Sequence, residues 1–311
     1  MSSDTTSLTD SYSQEQHEEF PLASLEAGEA TKYVTTSKSN SKAFLLRHGK
    51  SLLRLFLFIM YFIATALITK FTLLFFVIPR VSTNMEPARD VFLENLPHAS
   101  QTAFTISEIL ALVGIVMMLM VAFFRKRNKL AIFHRYLFIH ATLLNIRTLC
   151  ISVTTFSIPT SEYKENCIRL QNLSLAERLG KALNITNFGD TCGDYVFSGH
   201  ATALILVFWF VWYYSHSDRW SKAVRMIFNT ILFTVTFVGC FLIIVAKEHY
   251  TVDVILGVVI SVMFCALYHM LLERHVQDKL LDRKLEEGVI SILHYWFEIV
   301  EFDSYAKTHP F

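Results

Sequence analysis

The chain has 311 residues, 53% of them hydrophobic and 27 of them phenylalanine, with a formal net charge of +1 and a mean hydropathy of +0.40. These values suit one multi-span membrane domain better than a soluble one, and without a dominant basic stripe they give no reason to expect a nucleic-acid partner. The five cysteines, Cys150, Cys167, Cys192, Cys240 and Cys265, show neither a C-x-x-C nor a zinc-like spacing, so no metal or other cofactor is expected.

In chain order, residues 1–48 come first. They are rich in Ser, Thr, Glu, Asp and Gln and carry too little apolar surface to offset the entropy of ordering, so a disordered cytosolic tail is expected. No charged segment followed by an apolar core opens the chain, which leaves targeting to the first membrane helix. Six apolar runs follow: Leu55 to Ile78, Phe104 to Phe124, Leu130 to Phe156, Val196 to Tyr214, Met226 to Ala246 and Thr251 to Leu272. Each is long enough to cross about 30 Å of hydrocarbon. The third carries His134, Arg135, His140 and Arg147, which blurs its limits. The expectation is an all-α, polytopic fold: six transmembrane helices over residues 49–273, then a cytosolic tail over residues 274–311.

Loop charges orient this bundle. With the N-terminus in the cytosol, that side receives the basic residues from Lys32 to Arg54, the Arg125 to Lys129 cluster, Arg219, Lys222 and Arg225, and the basic residues of the C-terminal tail. The opposite side receives only Arg80, Arg89, Lys164, Arg169, Arg178, Lys181 and Lys247. The positive-inside rule then places both termini in the cytosol. The sequons Asn172-Leu-Ser174 and Asn184-Ile-Thr186 both fall in the loop this orientation makes exoplasmic.

Two segments carry chemistry: Cys192-Gly-Asp-Tyr-Val-Phe-Ser-Gly-His200 and Glu248-His-Tyr-Thr-Val-Asp253. His249 and Asp253 are four residues apart, so on a helix they share a face and the carboxylate can hold the imidazole in one tautomer. His200 supplies a complementary acid if the fourth and sixth helices pack with the same end up. All three would then reach the exoplasmic leaflet. Two histidines and an aspartate at a membrane surface suit phosphoryl transfer on a lipid.

These segments closely resemble the third and fourth signature motifs of the sphingomyelin synthases, a branch of the lipid phosphate phosphatase superfamily. The resemblance runs from about Leu55 to His269 and includes Phe104-Thr-Ile-Ser-Glu-Ile109, Arg135, Arg147, Val153-Thr-Thr155 and Cys167. It departs at Pro87-Ala-Arg-Asp90, where the family has a P-L-P-D-like segment, and after Asp253, where Ile255-Leu-Gly-Val-Val-Ile260 replaces a tyrosine-rich continuation. The resemblance implies transfer of phosphocholine or phosphoethanolamine from a glycerophospholipid to ceramide. It assigns His249 as nucleophile, Asp253 as its orienting carboxylate and His200 as acid and then base, through a phosphohistidine. The partners it implies are ceramide with phosphatidylcholine or phosphatidylethanolamine, in the Golgi or plasma membrane; self-association into a homo-oligomer stays open. The K-x6-R-P motif of superfamily phosphatases is absent, and their S-R pair is replaced by Leu242-Ile243. A diester carries about one negative charge and a monoester between one and two, so fewer cations suit a diester substrate. A phosphatase or phospholipase C-like hydrolase with the same triad remains the alternative.

Other residues admit two readings. Arg147 is a substrate-binding candidate, bound to a headgroup phosphate, or a structural partner of an acid such as Glu108. Asp194 is either a helix N-cap, the favoured reading, or a contact for a cationic headgroup. Ser198 is grouped with them as substrate-binding. Cys167 and Cys192 are either bridged or free. Phe208, Trp209, Phe210, Trp212 and Tyr213 are expected to face lipid or the interfacial belt.

Overall fold

The computed structural model describes residues 49, 52–96, 100–124, 129–184, 192–215 and 220–280. The expected N-terminal tail, residues 125–128 of the basic cluster, Ile185 and Thr186 of the second sequon, and residues 281–311 lie outside the described residues. Among those described there is no strand. The helices are α1 (Leu52–Arg80), α2 (Val91–Asn95), α3 (Gln101–Phe124), α4 (Lys129–Val153), α5 (Lys164–Gln171), α6 (Leu175–Leu183), α7 (Gly199–Tyr214), α8 (Lys222–Val245) and α9 (Thr251–Leu280).

Five of them, α1, α3, α4, α8 and the first 24 residues of α9, are long and apolar enough to cross a membrane. The sixth apolar helix, α7, has 16 residues. At 1.5 Å per residue it spans about 24 Å, less than the hydrocarbon thickness of about 30 Å. Its apolar run suggested a start at Val196, but the Ser198 hydroxyl accepts the Ala201 N–H at 3.3 Å and begins the helix at Gly199. Val196 and Phe197 belong instead to the loop leading in. The short helix is also the central one, packing against α3, α4, α8 and α9.

The end of α1 follows from Pro79, which has no N–H to donate and would crowd the carbonyl four residues back. The helix widens into a π turn over Leu73–Val77, closed by the Ile78 N–H on the Leu73 carbonyl, and then tightens into a 3-10 turn through Pro79. This swings Leu73, Leu74, Val77 and Ile78 onto Cys167, Leu170, Ala182, Cys192, Tyr195 and Tyr250, forming a cap core over one end of the bundle. A second core fills the middle, where Met117 and Val121 of α3 and Ile139 and Leu143 of α4 meet Leu206 and Phe210 of α7. Between α1 and α4 a polar seam adds to the aromatic packing of Phe58 and Tyr61 on Phe138. Asn145 donates to the Tyr61 hydroxyl at 2.9 Å and to Thr65 at 3.0 Å, and Thr69 meets Thr148 at 2.7 Å. Such bonds hold helices together where burial against lipid gives no advantage.

Candidate active site

The turn after α8 and the starts of α7 and α9 converge at the capped end. Gly257 permits the approach: a Cβ there would lie 2.9 Å from the Ser198 carbonyl and 3.2 Å from the Ala201 side chain. With the helices this close, the Ser198 N–H donates to the Asp253 carbonyl at 3.1 Å. The His200 and His249 rings come to 6.4 Å between centroids.

His249 is 5% exposed. Its Nδ1 stands 3.7 Å from Asp253 Oδ2, the four-residue pairing expected from the sequence, though beyond hydrogen-bond length. Asp253 Oδ2 also accepts the Tyr250 N–H at 3.0 Å, so the carboxylate is held by the helix start as half of a capping box. Among the described residues, His249 Nδ1 and Asp253 Oδ1 have no hydrogen-bond partner. Burial pushes His249 down to about 4; the negative charge of Asp194 opposes this and the positive charge of Arg147 adds to it. Near neutral pH the ring is an uncharged imidazole with a lone pair to offer.

The second histidine is set by a helix the sequence reading had not placed in the site. The edge-on ring of Phe104, on α3, packs against His200 with centroids 4.8 Å apart. One turn further, Glu108 Oε1 lies 3.9 Å from His200 Nε2. The signal was the Phe104 to Ile109 segment, already singled out as part of the resemblance. Glu248, beside the nucleophile candidate, is also affected: burial, reinforced by the charges of Glu108 and Asp194, raises its carboxyl to about 7.

Arg147 is buried and reaches across from α4 to the segment before α7. Its Nε donates to the Phe197 carbonyl at 2.7 Å, and its Nη2 is hydrogen-bonded to Asp194 Oδ2. Asp194 is therefore the partner of Arg147 and not a helix cap; Ser198 holds that role. Glu108, the acid suggested for Arg147, sits by His200. Ser198 is fully buried with its hydroxyl engaged as the cap, so it shapes the loop from within. The chain turns between Cys192 and Asp194 through Gly193, whose φ of +83° suits glycine. Cys192 is bonded to Cys167 of α5, with Cα atoms 5.5 Å apart, which resolves the open reading in favour of a bridge. No three His, Cys, Asp or Glu side chains converge as metal ligands would among the described residues.

Asp90, which entered the sequence reading only as part of the divergent Pro87 to Asp90 segment, makes four hydrogen bonds near the site. It caps α2 through the N–H groups of Phe92 and Leu93 at 3.0 and 3.2 Å. It also accepts the Thr251 N–H and hydroxyl, both at 2.7 Å. Burial would raise its carboxyl, but these four bonds outweigh it and hold the group below the ordinary aspartate value.

The family description PAP2 superfamily C-terminal matches residues 191–270, the stretch from the Arg147-bound loop through His269. Sphingomyelin synthase-related 1 of Caenorhabditis elegans is 28% identical over 228 residues, 71% of this chain and 44% of the relative. Phosphatidylcholine:ceramide cholinephosphotransferase 1 of Gallus gallus is 29% identical, covering 68% of this chain and 54% of its own. For phosphatidylcholine:ceramide cholinephosphotransferase 2 of Macaca fascicularis the identity is 29%, with 70% and 57% covered. The chain spans about half the length of the curated relatives it matches.

Proposed function

We propose that this chain, a PAP2-superfamily membrane protein related to the sphingomyelin synthases, is a lipid phosphotransferase that moves phosphocholine from phosphatidylcholine to ceramide. The single observation that carries this reading is the meeting of His200, His249 and Asp253 at one end of the bundle, with Arg147 pinned to the loop that presents His200. The substrates come from the names of the relatives; the roles are those the resemblance implies, and the approach of His200, His249 and Asp253 supports them.

His249 Nδ1 faces Asp253, so Nε2 is the nitrogen that attacks phosphorus. An N–P bond forms and the bond from phosphorus to the glycerol oxygen breaks. His200, protonated once the anionic headgroup is bound beside it, gives its proton to the departing diacylglycerol; Glu108 Oε1 lies 3.9 Å from its Nε2. The His249 imidazolium is balanced by Asp253. His200 then takes the proton from the primary hydroxyl of ceramide, whose oxygen displaces His249 and yields sphingomyelin. Passing through a phosphohistidine lets one site serve donor and acceptor in turn. Arg147 Nη1, which has no protein partner among the described residues, supplies the donor for the headgroup phosphate. Asp194 and Ser198 hold Arg147 and His200 in place from behind.

The Cys167–Cys192 bridge supports an oxidising, exoplasmic setting for the site, with both termini cytosolic. Asn172 is exposed beside it, available for glycosylation. The Golgi or plasma membrane is the location the resemblance implies. Residues 49–273 form the catalytic domain.

The purified protein incubated with headgroup-labelled phosphatidylcholine, with and without ceramide, tests the reading. Label is expected in sphingomyelin only when ceramide is present. Release of free phosphocholine regardless of ceramide would assign a hydrolase, and labelled ethanolamine transferred in preference to choline would reassign the headgroup.

A further inference from the structure

The geometry points to α2 as a splint for the nucleophile loop, with Asp90 and Lys247 as the positioning residues that fasten its two ends. This inference rests on the proposed role of His249. The segment 247–251 runs from the turn after α8 to the first residue of α9 and carries His249 at its midpoint. Its first residue, Lys247, has φ of 56°, a left-handed conformation that a lysine adopts at a cost. Its ammonium extends to α2 and donates to the Leu93 carbonyl at 2.9 Å and the Leu96 carbonyl at 3.0 Å. These are the carbonyl groups that the end of a helix leaves without intrahelical donors.

The last residue of this segment, Thr251, which opens α9, is fastened to the opposite end of the same short helix α2. The carboxylate of Asp90 accepts its N–H and hydroxyl while capping α2 through Phe92 and Leu93. One short helix thus has its N-terminal cap bound two residues after His249 and its C-terminal carbonyls bound two residues before it. A third tie lies between them. The Tyr250 hydroxyl accepts the Ala88 N–H at 3.1 Å, just ahead of α2, and donates to the Ser157 carbonyl at 3.1 Å.

His249 itself makes no hydrogen bond at Nδ1 among the described residues, so its orientation depends on the backbone that carries it. A buried nucleophile with a loosely held ring needs a rigid loop, because a shift of about 1 Å can cost on the order of a hundredfold in rate. Charge works with the geometry. The cation of Lys247 faces the negative end of α2 and the anion of Asp90 its positive end, the arrangement a helix dipole favours.

Asp90→Ala and Lys247→Met test the splint, with Glu94→Gln on the exposed face of α2 as the control. Each of the first two variants is expected to lower kcat per folded molecule about tenfold with KM within twofold, since loop position and not substrate binding is changed. The double variant is expected to lose little more than either single one, because cutting either end frees the same splint. A second readout does not need turnover. Carbethoxylation of His249 by diethylpyrocarbonate, followed by peptide mass spectrometry, is expected to speed up several-fold in both variants and to stay at the wild-type rate in Glu94→Gln.

Wild-type kcat and wild-type His249 reactivity in folded Asp90→Ala and Lys247→Met protein would overturn the splint. So would additive losses in the double variant, or an equal loss in Glu94→Gln. Should Asp90→Ala fail to fold, Asp90→Asn, which keeps one acceptor oxygen, is expected to fall between it and wild type in both readouts, and wild-type values for it would equally contradict the proposal. If the wild-type protein transfers no headgroup at all, the proposed function fails while the carbethoxylation rates still decide the splint.

Discussion

Two of the buried histidines, one toward each end of the bundle, are treated differently. His269, at the far end of α9, is 3% exposed and His249 is 5% exposed, so burial does not separate them. Around His269 the ring nitrogens are engaged: Tyr214 meets Nε2 at 3.3 Å, while the Trp209 indole and the Cys265 carbonyl lie 3.3 and 2.8 Å from Nδ1. Tyr213 packs against it at a tilt, with centroids 4.1 Å apart. Around His249, Nδ1 faces an aspartate it does not reach, and the nearest rings, Tyr195 and His200, are each 6.4 Å away. A buried imidazole with both nitrogens engaged belongs to the packing. One with a nitrogen held open beside a carboxylate is ready for chemistry, at a cost in stability that the surrounding cap must offset.

The sharpest way to break this comparison is to delete each ring in turn. His249→Ala is expected to lower transfer by ~10⁴-fold or more with the melting temperature in detergent close to wild type. His269→Ala should do the reverse, costing about 2–3 kcal/mol through lost hydrogen bonds and an apolar cavity while turnover per folded molecule holds. Equal effects on turnover would erase the distinction between the two ends.

Arg147 sharpens the comparison, because it belongs to the site and to the packing at once. Arg147→Gln leaves Asp194 buried without its partner and is expected to destabilise the fold by about 3–5 kcal/mol. Asp194→Asn in the same chain should recover part of that loss. Arg147→Lys keeps the charge, and is expected to preserve most of the stability while lowering transfer about tenfold through loss of the planar donor fork. A stable Gln variant with normal turnover would remove both roles.

The smallest expected effect is on pH dependence. Burial holds His249 at about 4, below the ordinary histidine value of about 6.5. The nucleophilic neutral form is therefore present throughout pH 5 to 8 and is lost only as the pH falls through 4. The acid limb of kcat/KM should have its midpoint near 4, with a slope of about tenfold per pH unit below it. A midpoint near 6.5 would mean that the working site is wetter than this one.

Much of this was legible in the sequence where the signal is local. The apolar runs marked the bundle, and the His249 to Asp253 interval marked the pairing, because both depend on residues a few positions apart, although His249 lies in the turn ahead of α9 and not on the helix itself. What escaped depends on contacts across the chain. Asp194 read as a cap because an acid ahead of an apolar run is the usual N-cap pattern, but the cap went to Ser198 once Arg147, 47 residues earlier in sequence, took the aspartate. Asp90 showed no role because Thr251 lies 161 residues away. The aromatic run of α7 was expected to face lipid, yet Phe210 is fully buried and Trp209 packs on His269, while Trp212 remains 44% exposed. Hydropathy could not rank these faces, since a central helix in a membrane bundle is apolar all round.

The central claim is that His249 carries the headgroup between donor and acceptor. Its most direct test is rapid quenching of the purified protein after mixing with phosphatidylcholine in the absence of ceramide, followed by proteolysis at alkaline pH and mass spectrometry. The account predicts a phosphocholine adduct on the peptide containing His249, at the imidazole, which disappears when ceramide is added before the quench. An adduct on any other residue, or efficient transfer to ceramide with His249 unmodified throughout the time course, would contradict it.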